Sequence, residues 1–343
     1  MGKTVAIIGG GVAGMEAASN LAKLGLEVTL IENGEKLGGH LLLWDRLFPT
    51  RRPGKEVLEY LRKGLDGNIS IKLNAQVLGI RKGENKFQID IKDEPAIGAD
   101  ALLLATGFDL FEAWRKEEYG YGIYENVITA AELEAMFASG SPLLTTTGKM
   151  PARVGFIHCV GSRDEKTGNL YCSRVCCVTA VKQAIEIKEI LPRAEVFCFY
   201  MDLRMFGMGF EELYKEAQEK WGIQFIRGRL SEAFENIDKK ILLKVEDTLA
   251  GRPLRLTVDL LVLMTGFVPS AGTLHFGKML DLDFEESRFL KPADMHTAPN
   301  MTHVRGVFIA GACSSPKSIE DTIADARSAA LSIVDFLIEN ERR

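Results

Sequence analysis

Apolar residues in this chain gather in short unbroken runs, each followed by a small-residue turn or a stretch of helical spacing. Val5-Ala6-Ile7-Ile8, Val28-Thr29-Leu30-Ile31 and Ala101-Leu102-Leu103-Leu104 are runs of the kind buried on both faces of a parallel sheet. Ala13 to Leu24 has helical spacing, so strand, turn, helix and strand follow as in a βαβ unit. A polar and aromatic stretch from Tyr119 to Pro151 precedes a second set. It comprises a strand from Arg153, a helix from about Cys177 to Ile190, and a strand from Glu195 to Tyr200. Leu260 to Met264 then ends in Thr265-Gly266, echoing Leu102 to Leu104 with its ending Ala105-Thr106-Gly107.

That echo predicts an α/β protein with two related Rossmann-like βαβ domains, the second inserted into the first. The boundaries expected are 1–145 with 280–343 for the first domain and 146–279 for the insert. Gly306 to Gly311 reads as a last strand entering a turn. Ser318, with Asp321 three residues on, caps a helix running from Ile319 towards the C-terminus.

With 343 residues, 46% of them apolar, the chain suits two globular domains. A formal charge of −5 speaks against nucleic acid, which favours a basic face. No apolar stretch reaches the ~18 residues of a spanning helix, so no membrane insertion is expected. The first residues enter a strand without an export signal, and a cytoplasmic location is expected. In a reducing compartment, six cysteines point to metal or redox chemistry rather than structural disulfides.

Gly9, Gly11 and Gly14 form G-x-G-x-x-G between a strand and a helix. Gly9 permits the tight turn, Gly11 lets backbone approach a pyrophosphate, and Gly14 lets helix and strand pack closely. The anion then sits at the positive end of the helix. Glu32, ending the next strand, is placed to accept bonds from an adenosine ribose; its plainer reading is a solvated strand-end acid. Leu37-Gly38-Gly39, Ala105-Thr106-Gly107 and a late Gly311 accompany this motif. The combination resembles the FAD domain of the two-dinucleotide-fold, thioredoxin reductase-like flavoproteins. By that resemblance the FAD site gathers Gly9, Gly11, Val12, Ala13, Gly14, Glu32, Asn33, Gly38, Gly39, His40, Val77, Ala105, Thr106, Gly107, Gly311, Ala312, Ser318, Ile319 and Thr322. It also implies that the late helix points its N-terminus at the flavin pyrimidine, where negative charge develops on reduction.

The position after Gly311 departs from this pattern. It usually carries an acid for the ribityl chain and here is Ala312, leaving Cys313 or backbone to serve. The first turn of the second domain, Gly155-Phe156-Ile157-His158-Cys159-Val160-Gly161-Ser162, lacks the close-approach glycines. No tight nicotinamide nucleotide site is expected there, a degenerate one being the alternative. Disulfide reductase chemistry fits poorly, since His40 to Trp44 holds no cysteine pair and no C-x-x-C occurs in the chain.

In its place stands Cys159-x12-Cys172-x3-Cys176-Cys177. Four thiolates meet the ligand count of an iron–sulfur cluster or an all-cysteine zinc site. Adjacent Cys176 and Cys177 point apart, which favours a cubane, whose irons are spread out, over a single tetrahedral ion. Zinc, or a set of buried or exchanging thiols, are the other readings. Cys198, mid-strand, reads as core, and Cys313 as a small packed side chain. His158, His275, His296 and His303 show no paired ligand spacing and receive no role.

Cys159-Val160-Gly161-Ser162-Arg163 followed by Tyr171-Cys172-Ser173-Arg174-Val175-Cys176-Cys177 resembles the flavoprotein core of the heterodisulfide reductase A-subunit family. Ala180, Lys182, Gln183 and Ala184 extend the match, as do Gly120-Tyr121-Gly122, Asn126 to Thr129, and Arg204, Gly207, Gly209 and Glu211. The resemblance covers nearly the whole chain. It implies one 4Fe–4S cluster on Cys159, Cys172, Cys176 and Cys177 beside the FAD, and a homodimer. FAD would store electrons and exchange them singly with the cluster. B and C partner subunits, ferredoxin-like and cysteine-rich, would hold the thiol or disulfide chemistry. The family's lysine at the position of Lys182 approaches the flavin N5 and is the expected catalytic cation; the plainer reading is a lysine exposed on its helix. No C-x-x-C-x-x-C ferredoxin motif occurs, so the outer clusters of the long methanogen subunits, and bifurcation with them, are not expected. Shortness makes the chain similar to the A subunits of heterodisulfide reductase-like complexes in sulfur oxidisers. The alternatives are the A subunit of a quinone-interacting membrane-associated complex and a stand-alone NAD(P)H-dependent flavin oxidoreductase.

Overall fold

The computed structural model describes residues 2–341 apart from 66, 68, 84 and 85. The chain divides into two compact units. The first is Met1–Leu42, Lys55–Asp109 and Val268–Arg343, and the second is Leu43–Gly54 with Leu110–Phe267.

The first unit is built on a five-stranded parallel sheet, because its strands are apolar on both sides and demand cover on both faces. The strand Thr4–Ile8 lies between Glu27–Ile31 and Ala101–Leu104; Ile69–Lys72 and Val307–Ile309 flank these at the two edges. Register runs Thr4↔Glu27 on one side and Val5↔Ala101 on the other. All four residues of Ala101–Leu104 are buried. Helix Val12–Lys23 covers one face beside the C-terminal helix Ile319–Glu341. An antiparallel three-stranded sheet, Val77–Lys82, Phe87–Ile91 and Ile97–Ala99, adds Val77, Phe87 and Ile89 to the core on the other face.

The second unit repeats this arrangement. Arg153–Val160 lies between Glu195–Tyr200 and Leu260–Thr265; Gln224–Arg227 and Val127–Thr129 take the edges, all parallel. The strand with the Thr-Gly ending thus neighbours the strand with the functional turn in both sheets, as the sequence echo implies. A second antiparallel sheet, Leu230–Glu235, Ile241–Asp247 and Arg252–Val258, completes the likeness. The fold is that of two Rossmann-like domains.

Three assignments differ from the sequence reading, the first being that residues 268–279 lie in the first unit and not in the insert. Residues 110–145 lie in the second unit, because Val127–Thr129 pairs with Leu261 to Leu263 and no strand of the first sheet. The segment Leu43–Gly54 also belongs there, held by buried polar side chains that local sequence pattern does not reveal.

Candidate functional site

In the first unit the Gly-rich turn has the form a dinucleotide requires. Gly9 takes φ 109°, and a Cβ there would overlap the Ala105 carbonyl. A Cβ on Gly14 would overlap Gly9 O, so the helix can lie this close to the strand only with glycine there. A Cβ on Gly11 would meet nothing within 4 Å. The protein therefore leaves open the space above Gly11, which a close-approaching phosphate needs. Val12 and Ala13 open the helix at this point.

The Glu32 carboxylate clamps the turn: one oxygen accepts from Gly10 N at 2.7 Å, the other from Gly34 N at 2.7 Å. Gly38 N donates to Gly10 O at 2.8 Å, so the Gly38-Gly39 bend closes on the same turn. Asn33 is exposed beside Glu32. His40 stacks on Phe108, with ring centroids 4.2 Å apart, and pairs through Nε2 with Phe108 O at 2.8 Å. Val77 is buried at the start of the antiparallel sheet. Ala105 N donates to Ile8 O; Ser270 Oγ bonds to Thr106 O, and Thr273 Oγ1 to Gly107 O, which fixes the Thr-Gly turn. Because hydrogen bonds to a carboxylate contribute roughly 1.5–3 kcal/mol each, Glu32→Ala should destabilise the flavin-free protein by about 2 kcal/mol or more in urea denaturation. Glu32→Gln, which keeps one acceptor, should lose less.

At the late turn Cys313 is the small packed side chain that was expected, and not the stand-in acceptor also considered for it. Its thiol is fully buried, donates to Ala310 O and Leu104 O, and burial pushes its pKa up to about 12. It is a packed side chain, not a substitute for the missing acid at Ala312, itself buried. The Asp325 carboxylate holds this turn, accepting from Gly311 N at 2.7 Å and pairing with Lys317 at 3.5 Å. Lys317 Nζ bonds to Gly311 O and Ser314 Oγ. Ser318 and Asp321 form the expected reciprocal cap, Ile319 begins the helix, and Thr322 Oγ1 donates to Ser318 O. Ser318, Thr322 and Asp325 are spaced by four and three, one helical face, a signal that could have found Asp325.

In the second unit the cysteine turn arises where the strand Arg153–Val160 loses register with Leu260–Thr265, between Ile157 and Val160. Cys159 takes φ 59° at this irregularity, and Arg163 and Arg174 take φ 53° and 61°. Gly161 rests against the Phe111 ring, Asn169 Nδ2 donates to its carbonyl, and Phe267 N donates to Ser173 Oγ at 2.9 Å. A buried Lys116–Asp164 pair at 2.7 Å holds the far side. Cys176 and Cys177 are the first two residues of helix Cys176–Ile190, whose N-terminal dipole favours thiolate.

Three of the four thiols meet. Cys176 donates towards Cys159 and Cys177, which holds both below the usual thiol range, while the same contacts and burial push Cys176 up. Cys172, half-buried, accepts from Arg174 N at 3.3 Å. The buried Ser162 Oγ and Arg163 Nη1 have no hydrogen-bond partner. Such orphaned donors beside thiols suit a group that brings its own acceptor atoms, as inorganic sulfide would. Among the described residues no three His, Cys, Asp or Glu side chains are placed to hold a metal ion. His158, which spacing left without a role, is buried with its ring facing the Cys177 and Cys198 thiols. Its position next to Cys159 was the available signal. Cys198 is core, as expected.

Lys182 is not the exposed helix lysine of the plainer reading. It is 1% exposed, ion-paired to Glu134 and, at 3.2 Å, to Glu186, and it donates to Arg46 O at 3.0 Å. Glu134 also accepts from Gln183 Nε2 and from Asp45 N, tying the segment Leu43–Gly54 to the helix. Burial pushes Glu186 up to about 7, with Glu134 adding to the rise and Lys182 and Arg46 opposing it. The folded state therefore holds a proton that the unfolded chain releases near its ordinary 4.5, and stability falls as pH rises between about 4.5 and 7. The loss should be on the order of 2–3 kcal/mol, and Glu186→Gln should flatten it in melts at pH 5 and 7.5.

Comparison with known proteins gives the following. The pyridine nucleotide-disulphide oxidoreductase family matches residues 3–130. The chain is 34% identical to the CoB–CoM heterodisulfide reductase iron-sulfur A-subunit of Methanocaldococcus jannaschii, across 96% of this chain and 64% of that protein. It is 35% identical to one of the corresponding A-subunits of Methanopyrus kandleri, across 95% of this chain and 63% of that one. The chain thus spans less than two thirds of the length of these relatives. In structure it is similar to thioredoxin reductase of Lactococcus lactis, with a TM-score of 0.69, 20% identity, and coverage of 98% and 99% of the two chains. Thioredoxin reductase of T. acidophilum gives 0.67 and 19%, with 97% and 98% covered. No helix among the described residues is long and apolar enough to cross a membrane.

Proposed function

Because the chain belongs, over the length it spans, to the heterodisulfide reductase A-subunit family, we propose that it is an electron-transfer oxidoreductase component carrying FAD and one 4Fe–4S cluster. The observation that carries this reading is the meeting of Cys159, Cys176 and Cys177 beside orphaned buried donors, with Cys172 on the same turn. FAD, when bound, exchanges electrons in pairs or singly, and a cluster takes them singly.

The chain's own residues supply placement. Backbone N–H groups around Gly11 and the start of helix Val12–Lys23 would hold the pyrophosphate. Glu32 shapes that turn and stands at the ribose position. The start of helix Ile319–Glu341 would favour the negative charge of reduced flavin. Cys159, Cys172, Cys176 and Cys177 would ligate the cluster, with Arg163 offsetting its negative charge. Lys182 remains the proposed flavin-side cation, its ammonium fixed by Arg46, Glu134 and Glu186.

A homodimer, cytoplasmic and working with B and C subunits in sulfur oxidation, completes the proposal. The relatives' naming as A-subunits supports the multi-subunit setting, and the resemblance to the heterodisulfide reductase A-subunit family supports the rest. A stand-alone NAD(P)H oxidoreductase is separated by rapid mixing with NADH under anaerobiosis. The expected result is negligible flavin bleaching on the timescale of seconds, while dithionite bleaches fully. Bleaching by NADH at ordinary enzyme rates (~10 per second) overturns the proposal in favour of that rival.

A further inference from the structure

Strand Arg153–Val160 loses register with its neighbour between Ile157 and Val160, and the residues inside that irregularity are His158 and Cys159. Irregularities of this kind re-aim side chains beside functional sites. On the adjoining strand Phe156 pairs with Cys198 and Ile157 with Phe199, which brings His158 alongside Cys198. Helix Cys176–Ile190 packs on both strands. The His158 side chain is buried between these elements, with its ring facing the sulfurs of Cys177 and Cys198.

Both ring nitrogens are buried, and neither has a hydrogen-bond partner. The Tyr200 ring lies against another side, its centroid 6.5 Å away and its plane tilted by 52°, without engaging either nitrogen. A buried polar group left unpaired costs about 1–3 kcal/mol, so such a ring marks a place where a partner is missing. As a free thiol, Cys177 directs its proton at Asp202 O, 3.7 Å away. A cysteine that ligates iron has lost that proton, and its sulfur only accepts. The imidazole nitrogen facing it then carries the hydrogen. The other nitrogen is left to Cys198, a fully buried thiol able both to donate and to accept.

We propose that His158 is a positioning residue for the cluster: its ring N–H bonds to the Cys177 sulfur, while Cys198 holds the ring from its other side. The inference deepens the function proposed above and rests on it, since only iron makes the Cys177 sulfur a permanent acceptor. One-electron reduction adds negative charge to the cluster and its thiolates. An N–H on a ligand sulfur stabilises that charge and raises the reduction potential.

The test is the cluster's midpoint potential, from a dithionite titration followed by EPR on the FAD- and cluster-containing chain without oxygen. His158→Leu removes both nitrogens and should lower the potential by about 59 mV or more, a tenfold fall in the one-electron equilibrium constant. Cys198→Ala should lower that constant about threefold, and Cys198→Ser, which still donates and accepts, should restore it. Adding Cys198→Ala to His158→Leu should shift it no further, because Cys198 acts only through the ring. Tyr200→Phe, beside the ring without a bond to it, should match the wild type. An unmoved potential in His158→Leu, additive shifts in the double variant, or an equal fall in Tyr200→Phe would each overturn the proposal. If His158→Leu assembles no cluster, the Cys198 pair decides: a fall in the alanine variant that serine restores upholds it, and no fall overturns it. Iron and sulfide assays on the wild type separate the two claims. Their absence sinks the functional reading, whereas an intact cluster with an unmoved potential sinks the role of His158 alone.

Discussion

Cys176→Ser is expected to leave anaerobic purification with its flavin in place and nearly all of its iron gone. Cys176 is the hub of the site: its thiol contacts both Cys159 and Cys177, and it opens the helix that carries the second pair. A serine there keeps the volume and the helix start but offers a poor ligand to iron. The fold should survive, because the turn is held elsewhere, by Lys116 on Asp164, Asn169 on Gly161 and Ser173 on Phe267. The expected readings are iron and acid-labile sulfide below about a tenth of wild-type content, loss of the broad absorption near the flavin bands, and an unshifted flavin spectrum. If the cysteines are only packed thiols, wild type and variant will look alike.

The second large effect concerns Gly11. Its φ of −77° is open to any residue, and an added Cβ meets no protein atom within 4 Å. Gly11→Ala should therefore fold and melt within about 0.5 kcal/mol of the wild type in flavin-free form. The methyl would instead occupy the space a phosphate needs, and FAD affinity should fall about 30-fold or more. That corresponds to losing roughly 2 kcal/mol through displaced backbone hydrogen bonds to the anion. Gly14→Ala makes the contrasting case. Its Cβ would overlap Gly9 O, so stability and flavin content should fall together, as overpacking predicts. Titrating FAD into flavin-free protein, paired with urea denaturation, separates the two. Unchanged affinity in Gly11→Ala would place the dinucleotide elsewhere.

Much of the architecture is legible in the chain itself. The unbroken runs Val5 to Ile8 and Leu260 to Met264 mark the buried strands, because only a sheet covered on both faces tolerates such runs. The Thr-Gly endings that follow Leu102 to Leu104 and Leu260 to Met264 mark the duplication, which reappears as one strand order in both sheets. Reciprocal capping by Ser318 and Asp321 is also legible, since a cap is a local device. Long-range polar pairing is not. Glu134 reaches Lys182 across 48 positions and Asp45 across 89, and nothing in local spacing announces either contact. For that reason local pattern leaves an exposed Lys182 open as a reading, and it places Leu43–Gly54 and residues 110–145 in the first unit rather than the second. Asp325 lies within reach of helical spacing, but it stands 14 positions from Gly311 rather than directly after it. His158 carries a neighbour, Cys159, rather than a motif, and only its burial against Cys177 marks it.

The whole account depends on what the cysteine turn holds. Iron, acid-labile sulfide and flavin should therefore be measured per chain on the wild-type protein, purified without oxygen. About four irons, four sulfides and one FAD per chain are predicted. Stoichiometric zinc, or flavin alone with no sulfide, would contradict it.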